Sequence, residues 1–352
     1  MKIVINCRFL TQPITGVQRY ALELCKRLKQ DHSGELVFIS PRNIVLTQEA
    51  EDLGVEKYGV LKSHLWEQIE LPRFLRSKGN PILLSLCNTA PLFYKKSIVA
   101  IHDLAFLVNQ NWFSKTFSLV YGSLIPKIAK KALHIITVSY FSKSEIVIRL
   151  GINEDKVSVV YNGHEHLSLS MGGELPEKVK KLDSFFLMVG SLDPRKNIHF
   201  GIEAFQNADL GSSNLVIVGE SSRSFAIDNF EESYPNIHFA GRVSDSELIE
   251  LYKNADGFIY PSLYEGFGIP PIEAAFFGLR PILSNISVFR EVWDDHALYI
   301  DPKDPRSLIS ILCNYEKLNH SEQIVLTEHV KQYSWDSSAK ELKQIVEKIV
   351  AF

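Results

Sequence analysis

Residues 257–273 read GFIYPSLYEGFGIPPIE, and this stretch decides the fold class. Its first four residues suit a buried strand, and its two adjacent prolines suit the first turn of a helix. The loop between them carries Glu265, Gly266 and Gly268, and glycines let backbone N–H groups approach a ligand closely. A strand, a polar loop and a helix in this order form one unit of an α/β fold with a parallel sheet.

The same alternation of short apolar runs and helical patterns extends along the whole chain. Residues 16–29 are one example, because Val17, Ala21, Leu24 and Leu28 recur at helical spacing. The predicted strands are 2–6, 36–40, 82–86, 97–101, 134–138, 157–160, 185–189, 215–218, 237–239, 257–260, 281–284 and 297–300. The predicted helices include 16–29, 114–131, 197–207, 245–254, 270–277 and 336–352, and Ser142 is expected to cap a further helix.

The chain has 352 residues and a mass of 40.0 kDa, which favours two domains over one core. We predict a first Rossmann-like domain over 1–165 and a second over 182–335. The polar stretch 166–181, which contains Gly172, Gly173 and Pro176, is predicted to be a linker. The amphipathic helix 336–352 is expected to pack back on the first domain.

Composition excludes several classes of protein. The net charge of −3 argues against a general nucleic-acid-binding protein. The four cysteines are far apart in the sequence and form no zinc or C-x-x-C motif, which is typical of a reducing compartment. No apolar run reaches the roughly 18 residues that a membrane-spanning helix needs. We therefore expect a cytoplasmic protein whose membrane contact, where it occurs, is peripheral.

Charge is distributed unevenly between the two halves of the chain. Residues 1–165 carry 21 Lys and Arg against 14 Asp and Glu, whereas the remaining residues carry 17 against 27. One interpretation is chance together with solvated helix faces. The other is a basic half that meets an anionic membrane surface, with Arg73, Arg76, Lys78, Lys127, Lys130 and Lys131 as the candidate contacts.

Two adjacent cations, Arg195 and Lys196, follow the strand 185–189 and precede a helix. Cations at a helix start oppose the helix dipole, and this cost is explained if an anion such as a diphosphate binds there. The alternative is a solvated turn that carries two surface cations. The residues alone leave both interpretations open.

Two carboxylates bracket the second loop. Glu265 lies in the Gly-x-Gly loop, and Glu273 is expected in the first turn of the helix that follows. A carboxylate there can accept hydrogen bonds from the vicinal hydroxyls of a ribose, although it can also merely complement the helix dipole. The chain has no complete dinucleotide fingerprint and no P-loop. It also has no D-x-D pair, so no metal or other cofactor is expected.

Together these motifs resemble retaining glycosyltransferases of family 4, which have the GT-B fold of two Rossmann-like domains around a deep cleft. The resemblance covers nearly the whole chain and is most specific over 251–278. It implies that Arg195 and Lys196 bind the donor diphosphate, that Glu265 contacts the transferred sugar, and that Glu273 holds the ribose. It also implies two groups of flanking donor contacts: Gly266, Phe267 and Gly268 near the sugar and phosphate, and Arg242 and Val243 near the nucleobase.

In the first half of the chain, residues 15–20 read TGVQRY and resemble the family's loop that faces the donor phosphates, with Gly16 at the helix start. Alone, this pattern could be a plain helix N-terminus. His102 matches the family's histidine beside the transferred sugar, and Asp103 is a candidate on the acceptor side, although a His-Asp pair can also be a satisfied loop pair. Relatives with this loop often have Asp where this chain has Asn6, two residues before Arg8.

The resemblance implies metal-independent, retaining transfer of a hexose from a nucleoside diphosphate sugar. The subgroup is that of bacterial O-antigen and polysaccharide mannosyltransferases, so GDP-mannose is the leading donor. The expected acceptor is a saccharide, lipid-linked, at the inner face of the cytoplasmic membrane. The catalytic set is expected to be Glu265, His102, Arg195 and Lys196. The alternatives are a GT-B sugar-nucleotide epimerase and a non-catalytic nucleotide-sugar-binding protein.

Overall fold

The computed structural model describes residues 2–31, 35–167, 173–219 and 234–351. The chain divides into two compact units. The first unit comprises residues 1–162 together with 335–352, and the second comprises residues 163–334. Of the predicted linker 166–181, residues 168–172 lie outside the described residues, and its described residues form no helix or strand.

The first unit is built on a seven-stranded parallel sheet. The strands are β1 (Lys2–Asn6), β2 (Glu35–Ser40), β3 (Glu56–Lys57), β4 (Ile82–Ser85), β5 (Ser97–Ala100), β6 (His134–Thr137) and β7 (Val157–Val159). Their order across the sheet is β3-β2-β1-β4-β5-β6-β7. The strand order reverses between β1 and β4. Sheets of this kind bind ligands at such a reversal point, beyond the carboxyl ends of the strands.

The second unit repeats this plan with six parallel strands. The strands are β8 (Phe185–Val189), β9 (Asn214–Val218), β10 (Ile237–Gly241), β11 (Gly257–Tyr260), β12 (Pro281–Ser284) and β13 (Leu298–Ile300). Their order is β10-β9-β8-β11-β12-β13, so the reversal falls between β8 and β11. The loops after β8 and β11 are the two loops that carry the charged motifs of the second half.

Helices follow the strands in both units. They are α1 (Gly16–Asp31), α2 (Thr47–Leu53), α3 (Ser63–Leu65), α4 (Leu71–Ser77), α5 (Ala105–Val108), α6 (Lys115–Lys131), α7 (Tyr140–Leu150), α8 (Ile198–Asn207), α9 (Asp245–Asn254), α10 (Ile269–Phe276), α11 (Ser287–Trp293), α12 (Pro305–Cys313), α13 (His320–Lys331) and α14 (Trp335–Ala351). A π-helical turn, Trp66–Glu70, joins α3 to α4. No helix in the described part of the chain is long and apolar enough to cross a bilayer.

The C-terminal helix α14 belongs to the first unit and packs against α1. Trp335 is fully buried beside the ring of Tyr20, with the ring centroids 6.0 Å apart. The hydroxyl of Ser338 donates to the carbonyl of Tyr161 at 2.7 Å. Burial of large apolar side chains such as Trp335 and Leu342 is the main force that holds α14 on this unit.

All twelve predicted strands are present, with ends that differ by at most two residues. The predictions succeeded because strands buried on both faces read as continuous apolar runs. The prediction that Ser142 caps a helix is wrong. Ser139 is the cap of α7, since its hydroxyl accepts from the backbone N–H of Ser142 at 2.9 Å, while the hydroxyl of Ser142 donates to the carbonyl of His102.

Candidate functional site

Two loops converge at the point where the second sheet reverses. The loop after β8 forms a 3₁₀ turn over Pro194–Lys196, and Asp193 caps it by accepting from the N–H of Arg195 at 3.0 Å. The loop after β11 joins it through a backbone hydrogen bond from Leu263 to the carbonyl of Arg195 at 2.8 Å. Neighbouring parallel strands therefore deliver both predicted motifs to one place.

Glu265 pairs with both cations of the first loop. Its Oε1 lies 2.6 Å from Nζ of Lys196, and its Oε2 lies 3.2 Å from Nη1 of Arg195. The side chains of Arg195 and Lys196 are only 16% and 11% exposed, so the interaction takes place largely away from water. Tyr260, the last residue of β11, accepts a further hydrogen bond from Lys196 at 2.6 Å.

The charges in this cluster stabilise one another. Burial opposes ionisation of Glu265, but Lys196 and Arg195 outweigh it and hold the pKa of this carboxyl at about 2. Burial likewise lowers the pKa of Lys196, and the attraction of Glu265 counteracts that change. At neutral pH the cluster is a carboxylate shared by two cations, and those cations can also hold a diphosphate.

Glycines at the ends of three adjacent strands bring the backbone close together beside this cluster. Gly190 follows β8, Gly219 follows β9 and Gly241 ends β10. A Cβ at Gly219 would lie 1.8 Å from the carbonyl oxygen of Gly190, so no other residue fits there without movement of the backbone. Gly190 and Gly219 each directly follow an apolar strand, which is a sequence signal for this close approach of the backbone.

Helix α10 follows the loop after β11. Gly268 is its N-cap with φ of 100°, and a Cβ there would lie 2.9 Å from the ring of Phe289. The helix starts at Ile269, so Glu273 lies beyond the first turn, and the prediction that placed it in that turn is wrong. The reason is that the helix begins one residue earlier than predicted, so that Ile269, Pro270 and Pro271 fill its first turn.

Glu273 is buried, and each of its carboxylate oxygens contacts another side chain. Its Oε2 accepts from the hydroxyl of Tyr252 at 2.8 Å, and its Oε1 lies 2.9 Å from Nε2 of His166. His166 falls in the segment that the sequence predicted to be a linker, and it was not predicted to take part in a site. A contact between residues so far apart in sequence has no local signature.

The remaining predicted donor residues of the second unit occupy two positions. Gly266 and Phe267 are buried in the loop beside Glu265. Arg242 and Val243 follow the edge strand β10, two strands away from β8, and Arg242 is exposed. The Arg195–Lys196–Glu265 cluster is thus formed directly by side-chain contacts, whereas Arg242 and Val243 share its sheet edge at a greater distance.

In the first unit, His102 follows β5 and is only 6% exposed. Its Nε2 lies 2.9 Å from the carbonyl oxygen of Leu86, which can only accept, so this nitrogen carries the proton. Burial lowers the pKa of His102, and the ring is therefore neutral near pH 7. Its Nδ1 is then a hydrogen-bond acceptor, which suits orientation of a ligand hydroxyl rather than proton donation.

The other predicted residues of the first unit lie near His102 along the chain or in space. Gly16 is exposed at the first position of α1, and Tyr20 of the same helix meets the His102 ring edge-on at 4.8 Å. The TGVQRY segment and His102 are thus brought together. Asp103 accepts from the N–H of Ala105 at 2.9 Å and so stabilises the local turn.

A buried polar network occupies the reversal point of the first sheet. The carboxylate of Glu67, on the π-helical turn, accepts from Nδ2 of Asn6 at 2.8 Å, from Nε of Arg8 at 3.2 Å and from the Thr89 hydroxyl at 2.8 Å. Burial opposes the negative charge of Glu67, but Arg8 and the hydrogen bonds that Glu67 accepts hold the pKa of this carboxyl at about 2. Because an amide can donate to Glu67 and a carboxylate cannot, Asn6 fits this network better than Asp would.

A doubly wound fold with paired cations at a strand reversal defines an α/β protein that can bind a phosphorylated ligand. Residues 14–166 match the family described as Glycosyltransferase Family 4, and residues 175–325 match Glycosyl transferases group 1. The O-antigen chain mannosyltransferase RfbU of Salmonella typhimurium is 32% identical over 78% of this chain and 74% of its own. The chain therefore belongs to glycosyltransferase family 4.

Two further comparisons agree. The O-antigen chain mannosyltransferase B of Escherichia coli is 25% identical over 96% of this chain and 97% of its own. The crystal structure of Anabaena Alr3699/HepE in complex with UDP and glucose matches 99% of this chain and 100% of its own, with a TM-score of 0.73 at 14% identity. The GT-B fold is confirmed. The chain is a glycosyltransferase, and neither the epimerase nor the non-catalytic alternative is favoured.

Proposed function

We propose that this glycosyltransferase moves a hexose, with mannose as the leading candidate, from a nucleoside diphosphate to a saccharide acceptor of a bacterial surface polysaccharide. The curated relatives named above are O-antigen mannosyltransferases, and this supports mannose and the polysaccharide. The observation that carries the chemistry is the carboxylate of Glu265 held between Lys196 and Arg195. In this cluster, Lys196 and Arg195 can clamp a phosphate group, and the carboxylate of Glu265 beside them can accept hydrogen bonds from sugar hydroxyls.

In this proposal Arg195 and Lys196 stabilise the negative charge that gathers on the leaving diphosphate. Preorganised cations of this kind act where charge develops in the transition state, and they need no reorganisation at that moment. The loop of Gly266, Phe267 and Gly268 contacts the sugar and the phosphates in this proposal, as the family resemblance implies. Glu273 holds the ribose of the donor, and Arg242 and Val243 flank its base.

In the second unit, Glu265 orients the transferred sugar as this sugar gains positive charge at the anomeric carbon. The acceptor Nδ1 of neutral His102 suits a sugar hydroxyl. We propose retention of the anomeric configuration, with a leaving phosphate oxygen accepting the proton of the incoming hydroxyl on the same face. This route requires no dedicated base, and Asp103 is kept as a candidate on the acceptor side.

Transfer should be detected with GDP-mannose and a mannose-containing oligosaccharide, and the anomeric configuration of the product should be read by NMR. A thermal-shift panel of GDP, UDP and dTDP at equal concentration identifies the donor base, because a ligand that binds only the folded state raises Tm more the more tightly it binds. The preferred nucleotide should stand out. Isomerisation of the donor without transfer would contradict the proposal.

We expect transfer to proceed without a divalent metal. Two cations already face the expected diphosphate position, and the sequence has no D-x-D pair to hold a bridging ion. Rates measured in excess EDTA should equal those measured with added Mg²⁺ or Mn²⁺. Loss of activity in EDTA that either metal restores would show that the two cations do not replace a metal.

We also propose peripheral docking on the inner face of the cytoplasmic membrane through helix α6. Leu119 is 75% exposed on this helix, and Lys127, Lys130 and Lys131 are exposed toward its C-terminal end. Lys131 lies over the ring of Phe93, which is itself 83% exposed. Exposed apolar side chains next to lysines suit an anionic lipid surface.

The docking proposal predicts reversible, salt-sensitive co-sedimentation with anionic vesicles. Replacing Lys127, Lys130 and Lys131 with Gln should weaken binding by about 3 kcal/mol, since each cation near such a surface contributes about 1 kcal/mol. The comparison variant replaces the other three candidate contacts, Arg73, Arg76 and Lys78, which are exposed on or directly after α4, with Gln, and it should bind vesicles nearly as the wild-type protein does. An equal loss in both triple variants would show that general charge, not this helix, drives binding.

A further inference from the structure

The short segment 163–167 opens the second unit and lies along helix α10. The ring of His164 packs against Phe276 with centroids 4.5 Å apart, and its Nδ1 bonds to the carbonyl of Tyr333 at 2.9 Å. His166 reaches Glu273, which is one helical turn before Phe276 on the same face. Two histidines of one segment thus contact one face of α10, but only His166 contacts its carboxylate.

The carboxylate of Glu273 is fixed from two sides. Tyr252 must donate to it, since a carboxylate only accepts, and the Tyr252 ring is itself stacked on Phe277 at 5.8 Å. His166 binds the other oxygen, and its side chain is only 3% exposed. Each carboxylate oxygen therefore has its own buried partner. Stacking on Phe277 holds Tyr252, and burial holds His166.

We propose that His166 is a positioning residue for the donor ribose. It holds the Glu273 carboxylate in one orientation before the ligand binds. Glu273 can then bind two vicinal hydroxyls of the ribose without a further loss of side-chain conformational entropy. Recognition groups need supporting partners that hold them to within about half an ångström, and a hydrogen-bonded histidine serves this purpose. The inference rests on the role of Glu273 in the proposed function.

Replacing His166 should therefore weaken only the binding of ligands that carry the ribose hydroxyls. A partner that orients Glu273 affects only those ligands whose hydroxyls Glu273 binds, whereas a partner that merely stabilises the fold affects every ligand. The ratio of the affinities for GDP and for 2′,3′-dideoxyguanosine diphosphate isolates this difference. Both probes carry the same base and diphosphate, and only GDP carries the vicinal hydroxyls.

Calorimetry should give the two Kd values for the wild-type protein and for His166→Ala, with the UDP pair replacing the GDP pair if UDP binds more tightly. In His166→Ala we expect GDP affinity to fall about tenfold, as for loss of one hydrogen bond to a charged group, while the dideoxy affinity stays unchanged. His166→Gln keeps an N–H donor and should recover part of the ratio. If the alanine variant does not fold, Tyr252→Phe removes the other donor and should reduce the same ratio.

His164→Ala is the matched control, because it alters the same segment and the same helix face without touching Glu273. It should lower Tm and leave the affinity ratio unchanged. Equal losses for both probes in His166→Ala would overturn the inference. Glu273→Gln separates the two levels of the argument: if it leaves the ratio unchanged, the proposed ribose role of Glu273 itself fails, and if it alone collapses the ratio, only the role of His166 fails.

Discussion

Lys196→Ala is expected to lower kcat/KM for sugar transfer roughly 30- to 1,000-fold, which corresponds to about 2–4 kcal/mol of transition-state stabilisation. The ammonium group lies in a largely buried position beside Glu265, where charge is screened far less than at the surface. In the proposed function, the diphosphate gains negative charge beside this cation as the bond between the sugar and the phosphate breaks. The loss should fall mainly on kcat, because the interaction strengthens as the bond breaks.

Lys253→Ala is the control for this experiment. Lys253 belongs to the same unit and pairs with Glu250 at 2.8 Å, but its side chain is 47% exposed on α9. Exposed ion pairs contribute little, so its removal should leave both kinetics and stability nearly unchanged. Steady-state rates at several donor concentrations separate kcat from KM. Wild-type turnover in Lys196→Ala would contradict the phosphate clamp.

The sequence predicted the architecture well because burial leaves a strong local pattern. Strands such as β8 and β11 are apolar throughout, and the polar residues that follow them mark the functional edge of the sheet. The edge strand β3 was missed because its two residues, Glu56 and Lys57, are exposed and charged. An edge strand of this kind carries no apolar signature at all.

The site was predicted less completely, and the reason is again physical. The cation pair and the two glutamates stand out in the sequence because they lie in, or shortly after, the loops that follow the apolar strands β8 and β11. His166 and Glu67 could not be predicted, because their partners come from distant parts of the chain. Contacts of this kind leave no pattern of spacing in the sequence. No pattern in the sequence indicated that Glu265 pairs with Arg195 and Lys196, and this contact changes the expected effect of replacing Glu265.

Glu265→Gln is expected to lower sugar transfer roughly 100-fold and yet to strengthen binding of the bare nucleoside diphosphate. In the ligand-free protein the carboxylate of Glu265 shares Lys196 and Arg195, so it competes with the diphosphate for both cations. Glutamine has nearly the same shape but no charge. Its introduction removes one like charge beside the phosphates and should tighten GDP binding by about 1 kcal/mol, or about fivefold.

The same substitution should lower Tm in the absence of ligand. Arg195 and Lys196 would then lose the carboxylate of Glu265, and a largely buried cation that loses such a partner is destabilising. GDP restores a counter-charge, so the increase in Tm on adding GDP should be larger in Glu265→Gln than in the wild-type protein. Both effects follow from one change of charge.

Glu273→Gln provides the opposite sign and so makes the comparison decisive. Glu273 is bonded to Tyr252 and His166 rather than to the cations, so its removal frees no positive charge for the diphosphate. It should weaken GDP binding through the ribose, while Glu265→Gln strengthens it. Calorimetry with bare GDP on both variants measures the two signs directly. If GDP affinity falls in Glu265→Gln as far as transfer does, Glu265 holds the nucleotide itself, and its assignment to the transferred sugar is wrong.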